Sequence, residues 1–142
     1  AQTVTVTLVA AQQTAAISIT VTGSATSGQP ANHAGALGAD TAPTVTVTSA
    51  AGRLVLGFID SARNNTDAQI TPGAGQTQRA SVSGPTADRP RQEATDEAGA
   101  GSVVTSWTTA AGQDWVAQAV DLSEAVAAEI PRLITAPYRP AA

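Results

Sequence analysis

The amino-acid sequence predicts an all-β protein made of antiparallel strands, and two observations support that prediction. The first is strict alternation of apolar residues with Thr or Ser in three segments, around Val4–Leu8, Ile17–Val21 and Val45–Val47. A period of two places one set of side chains on each face of a strand. The second is the recurrence of such segments between Gly, Pro and Asn turn signals, which is typical of a Greek-key or jelly-roll-like β-sandwich.

Eight strands are predicted, and two long loops separate some of them. In chain order the predicted strands are 2–9, 14–22, 44–48, 53–60, 76–82, 91–97, 102–109 and 114–122. The long loops are 23–41 and 61–75. The first two strands and the last two strands are each joined by a short turn, so each pair is predicted to form a hairpin.

The strand 53–60 is the strongest candidate for the centre of a sheet because both of its faces are apolar. Leu54, Leu56 and Phe58 occupy one face, and Val55 and Ile59 occupy the other. The first face is predicted to lie in the core. The residues predicted to be nearly fully buried are Leu54, Leu56, Phe58, Ile19, Val47 and Trp107.

The chain divides into a β-sandwich domain, 1–122, and a C-terminal segment, 123–142. The segment begins with a predicted short helix that Ser123 caps, and Pro131 ends it. The segment 133–142 is predicted to form an extended arm, and either this arm or the edge of the predicted strand 2–9 is expected to contact another subunit. The apolar anchors of the arm are predicted to be Leu133, Ile134 and Tyr138.

Composition excludes several classes of function. The 142 residues carry a net charge of −4 and no basic stripe, so a nucleic-acid partner is not expected. The absence of cysteine excludes disulfides, thiolate metal sites and cysteine nucleophiles. No apolar run reaches the roughly 18 residues of a membrane span.

Candidate catalytic and metal-binding residues are few. His33 is the only histidine and has no predicted acid–base partner, and no serine lies in a Gly-x-Ser-x-Gly turn. The loop Asp60–Asp67 is rich in oxygen ligands but lacks EF-hand spacing, so turn formation is favoured over calcium binding. The acidic residues Glu93, Asp96 and Glu97 are predicted to form a solvated edge or to pair with nearby arginines. The sequence therefore predicts no enzyme, cofactor or metal.

Two tryptophans allow two interpretations. Trp107 and Trp115 could present a stacking platform for a sugar, or they could fill the thin core. The second interpretation is favoured because the chain has only one Phe and one Tyr besides them.

Three strings of the sequence together resemble a known layout. They are TVTVTSAAGRLVLGFI at 44–59, TPGAGQTQR at 71–79, and SVVTSW at 102–107 followed by QDWVAQAV at 113–120. This order resembles a loosely defined group of bacterial and phage β-sandwich modules, found in phage structural proteins and in extracellular or cell-surface proteins. The resemblance covers about residues 1–122.

The resemblance implies a function in assembly. The expected protein is a non-enzymatic structural subunit of a virion, such as a capsid decoration or a head or tail fibre protein, with other virion subunits or copies of itself as partners. The alternative is a carbohydrate-binding or adhesive module at the cell surface or outside the cell.

Overall fold

The computed structural model describes residues 16–24, 30–64, 70–83, 89–109 and 113–124. These residues contain no helix and form eight strands. The strands are β1 (Asn32–Gly38), β2 (Thr44–Thr48), β3 (Leu54–Asn64), β4 (Thr71–Pro72), β5 (Thr77–Ser83), β6 (Arg89–Ala98), β7 (Ser102–Thr108) and β8 (Trp115–Leu122).

The strands form two antiparallel sheets that pack face to face. The larger sheet has the order β1-β8-β3-β6-β5, and the smaller has the order β2-β7-β4. Buried side chains of both sheets form one hydrophobic cluster between them. The predicted β-sandwich is therefore confirmed, and β3 lies at the centre of the larger sheet as predicted.

The strands 102–109 and 114–122 are confirmed, but the hairpin predicted between them is wrong. β7 pairs with β2 and β4 in the smaller sheet, whereas β8 pairs with β1 and β3 in the larger sheet. The connection between β7 and β8 therefore crosses from one sheet to the other. Along the sequence, the paired strands β3 and β6 lie between the paired strands β2 and β7, and these lie between the paired strands β1 and β8.

Three other sequence expectations need correction. The segment 23–41 is not a continuous loop, since β1 lies within it and pairs along its full length with β8. The predicted loop 61–75 contains the end of β3 and the short strand β4. Residues 16–22 are not a strand, and only an isolated bridge joins Ser24 to Glu124. The predicted strand 2–9 lies outside the described residues.

The core lies on the opposite face of β3 from the one predicted. Val55 and Ile59 are buried between the sheets, while Leu54 and Phe58 point outward and are half-buried. A glycine at position 57 explains the inversion, because a Cβ there would lie 3.0 Å from the ring of Trp107. The indole of Trp107 thus supplies the volume that β3 itself lacks on this face. Of the other predicted core residues, Leu56, Val47 and Trp107 are buried and Ile19 is half-buried.

Candidate functional site

The outer face of the larger sheet carries an exposed apolar patch at the β1–β8 edge. Leu37 is 80% exposed and Val116 is 52% exposed. The two residues are directly opposite each other in the β1–β8 register, so their side chains stand next to each other. Val104, 53% exposed, lies on the smaller sheet, where its registered neighbour across the strands is Thr46. The Leu37–Val116 pair is therefore a patch, whereas Val104 is a single exposed side chain.

A groove of about 400 Å³ opens beside this pair, and we call it the edge groove. Its described lining consists of Leu37, Gly38, Asp60, Pro90, Asp114, Trp115 and Val116. Trp115 is buried, and a Cβ on Gly38 would lie only 2.5 Å from its ring. The missing side chain of Gly38 therefore leaves room for the indole. The indole Nε1 is buried and has no hydrogen-bond partner among the described residues.

Two carboxylates give the edge groove an acidic character. Asp60 is opposite Val116 in the β3–β8 register, and its Oδ2 accepts a hydrogen bond from Gln92 Nε2 at 3.2 Å. Asp114 is exposed at the start of β8. The described lining contains no arginine. The groove therefore suits an apolar partner that carries positive charge.

The segment 16–22 covers the neighbouring part of the same outer face. Ile17 lines a cavity of about 470 Å³ together with Phe58 and Val116, and this cavity shares Asp60 and Val116 with the edge groove. Ile19 and Val21 line the next cavity along the face, with Leu54 and Leu56. The apolar outer residues of β3 are thus sheltered by this segment, whereas Leu37 remains exposed.

A second group of polar residues lies on the inner face of β6. Glu93 is 1% exposed and sits opposite Ile59 of β3. Its Oε2 accepts a hydrogen bond from Gln78 Nε2 at 3.1 Å, and its Oε1 has no partner among the described residues. Burial raises the pKa of Glu93 to about 7, and the positive charge of Arg91 opposes this shift only in part. Burial also raises the pKa of Glu97, which lies four residues further along β6 and therefore on the same face.

A third group surrounds Asp121 on the same inner face. Asp121 is fully buried and accepts hydrogen bonds from Ser49 Oγ at 2.6 Å, Arg53 Nη1 at 2.6 Å and Asn32 Nδ2 at 3.2 Å. Burial acts to raise the pKa of Asp121, but these donors and the Arg53 charge outweigh it and hold the pKa below its usual value. Both oxygens have partners, and the group joins β1 and β8 to the residue that follows β2 and the residue that precedes β3.

The structure separates the acidic residues that the sequence placed in one cluster. Asp96 lies on the outer face and forms a salt bridge of 2.8 Å with Arg79, whereas Glu93 faces inward. The expectation that Glu93 belongs to a solvated edge is wrong, because the β5–β6 hairpin and the core enclose it. The alternative that paired it with a nearby arginine fits its Coulombic contact with Arg91.

The remaining predicted site residues differ in exposure and in position. His33 is exposed on the outer face of β1, opposite Val120. Trp107 and Trp115 are buried, as the favoured interpretation predicted. Asp60 lies in β3, which agrees with the predicted strand 53–60 and not with the loop Asp60–Asp67. The part of the chain that is described holds no group of three or more metal-ligating side chains. The predicted anchors Leu133, Ile134 and Tyr138 lie outside the described residues.

Sequence reasoning missed the Leu37–Val116 pair because β1 carries no strand signal. The only hint was Leu37 itself, a large apolar residue in a stretch of Ala and Gly.

Comparisons with known proteins add no family. No family model, no curated protein and no solved structure matches the chain. Within the described ranges there is no helix long and apolar enough to cross a membrane.

Proposed function

We propose that this chain is a non-enzymatic structural module that acts through protein–protein contacts, as a subunit of a virion such as a capsid decoration or a head or tail fibre protein. The single observation that supports an assembly function best is the exposed Leu37–Val116 patch beside the edge groove. The virion setting rests on the resemblance of the sequence to phage β-sandwich modules.

The patch favours assembly for a physical reason. Adjacent large aliphatic side chains in water cost free energy that burial against a partner recovers, at about 25 cal/mol per Å² of apolar surface. The core cluster contains mainly Val, Ala and Ile around two indoles. Binding to neighbouring subunits stabilises a folded module of this kind by mass action.

The second candidate, a carbohydrate-binding or adhesive module, has less support. A sugar platform needs exposed aromatic faces. Trp107 is 2% exposed and Trp115 is 6% exposed, so neither presents a ring to solvent. Tyr138 lies outside the described residues. We therefore favour the assembly function.

Two measurements test the proposal. The first is the mass of the native particle that contains the chain, by light scattering: a large assembly supports the proposal, and a free 14.1 kDa monomer contradicts it. The second compares Leu37→Arg and Val116→Arg with the matched control Val104→Arg, which places the same charge at an equally exposed valine on the other sheet. Assembly should be lost in the first two variants and kept in the control. Equal assembly in all three would contradict a contact through the patch.

A further inference from the structure

We propose that the edge groove receives residues 131–139 of a second copy of this chain, so that each copy lends its C-terminal arm to a neighbour. This inference rests on the proposed assembly function and names the partner. The arm lies outside the described residues, so the argument uses its sequence, the length of chain that carries it, and the chemistry of the groove.

The arm and the groove are complementary in charge. The segment 131–139 reads PRLITAPYR and contains two arginines, and no acidic residue follows Glu129. The edge groove carries the carboxylates of Asp60 and Asp114 and, among its described lining, no arginine. Opposite potentials of this kind fix the register of a contact and speed association.

The arm and the groove are also complementary in shape and polarity. Leu133, Ile134 and Tyr138 offer apolar side chains to a groove whose lining includes Leu37, Val116 and Pro90. Three prolines, at 131, 137 and 140, restrict the arm's backbone before it binds and so reduce the entropy lost on docking.

Chain length favours a second copy over the same copy. The edge groove lies at the start of β8, and Glu124 follows the other end of that strand, about 25 Å away. Eight residues separate Glu124 from Leu133, and the nine fully extended steps between their Cα atoms span at most about 30 Å. The chain's own arm would therefore need almost complete extension to reach its own groove. The arm of a neighbour has no such restriction.

The decisive experiment mixes two variants of the chain with complementary defects. One variant carries Leu37→Arg and keeps its arm. The other lacks residues 131–142 and keeps its groove. Sedimentation velocity of each protein alone should give a monomer, whereas the wild type self-associates and an equimolar mixture forms a heterodimer through the one intact arm and the one intact groove. Circular dichroism checks that both variants are folded, and Asp114→Arg replaces Leu37→Arg if that variant does not fold.

A charge exchange tests the electrostatic part. Asp114→Arg should raise the dissociation constant of self-association about tenfold, and adding Arg132→Asp and Arg139→Asp in the same chain should recover most of that loss. The matched control is Asp40→Arg, an exposed aspartate in the β1–β2 connection outside the described groove lining, which should leave the dissociation constant unchanged. Failure of the exchange to recover binding would contradict the assigned contact.

The outcomes separate this inference from the function on which it rests. If the truncated chain associates as the wild type does while Leu37→Arg does not, the patch mediates assembly and the arm does not occupy the groove. If the mixture stays monomeric although the wild type associates, the exchange of arms is wrong. If the wild type itself remains a monomer at all concentrations, a second copy is not the occupant.

Discussion

Two buried carboxylates on the same face of the same sheet behave in opposite ways. Asp121 of β8 and Glu93 of β6 both face the smaller sheet, and both are almost inaccessible to solvent. Asp121 accepts three hydrogen bonds, one of them from a guanidinium, and its pKa is lowered. Glu93 accepts one from a neutral amide, and its pKa is raised to about 7. Burial is common to both, so the number and charge of the donors decide which form of the acid is stable.

The opposite shifts give opposite contributions to stability as pH changes. A lowered pKa means that Asp121 stabilises the fold above its unfolded pKa, and this contribution is lost as pH falls through the lower folded value. The raised pKa means that the folded state favours the protonated form of Glu93. Ionisation of Glu93 therefore lowers the free energy of unfolding as the pH rises from 4.5, its unfolded pKa, toward about 7. We therefore expect the wild-type free energy of unfolding to fall on both sides of mildly acidic pH.

The largest effect is expected for Asp121→Ala. This change removes the acceptor shared by Ser49, Arg53 and Asn32 and should destabilise the fold by about 3–5 kcal/mol at pH 7, since it leaves a guanidinium and a hydroxyl without their partner. Urea unfolding measures the loss. The matched control is Asp96→Ala, which breaks the more exposed Arg79 pair and should cost less than about 1 kcal/mol. Equal costs would remove the distinction between a buried network and a surface pair.

The next largest effect is expected for Glu93→Gln, with the opposite sign. The amide has a similar shape, can still accept a hydrogen bond from Gln78, and does not ionise. A shift from 4.5 to about 7 corresponds to about 3 kcal/mol, so the variant should be more stable than the wild type by up to that amount at pH 8 and no more stable at pH 4.

The pH dependence is the test of this second prediction. Urea unfolding of wild type and Glu93→Gln at several values from pH 4 to pH 8 should give two curves that separate as pH rises. A constant difference across the range would show that Glu93 does not titrate in the folded state within that window.

A smaller effect is expected for Gln78→Ala. It removes the 3.1 Å hydrogen bond to Glu93 and should destabilise the protein by about 1 kcal/mol at pH 8, where the carboxylate is charged. The same change in the Glu93→Gln background is the control, and there the loss should be smaller because the acceptor is neutral. Identical losses in both backgrounds would mean that the donor does not act on the charge of Glu93.

The sequence predicted the elements whose pattern their own residues determine. Val45 and Val47 alternate with threonines, and the structure buries both in the core. β1 could not be found in this way, because Asn32–Gly38 contains no β-branched residue and owes its extended form to pairing with β8. The core face of β3 was assigned wrongly because residue volume suggested Leu54 and Phe58, whereas Gly57 makes room for the distant Trp107.

The candidate site was even less accessible to sequence reasoning. The edge groove combines residues from β1, β3, β6 and β8, which only the sheet order brings together. The predicted hairpin of β7 and β8 implied a different sheet order. A short connection between two strands is compatible both with a turn within one sheet and with a crossing between two sheets, so its length could not decide between them. The pattern of charges in β6 led to the wrong prediction that Glu93 is solvated, since nothing in the local sequence shows that this side chain faces the core.

The nested pairing of the strands has a consequence for how the protein is made. β8, the last strand described, lies between β1 and β3 in the larger sheet, and β5–β6 is the single pairing of consecutive strands among those described. During synthesis the ribosome releases β1 and β3 long before the strand that joins them exists. Until β8 is available, the backbone groups of β1 and β3 that pair with it have no partner. Such unpaired strand edges are associated with slow folding and with aggregation. Among the described strands, the pairings β5–β6, β3–β6, β2–β7 and β4–β7 can form before β8 is synthesised. The larger sheet is complete only when β8 leaves the exit tunnel and inserts between β1 and β3.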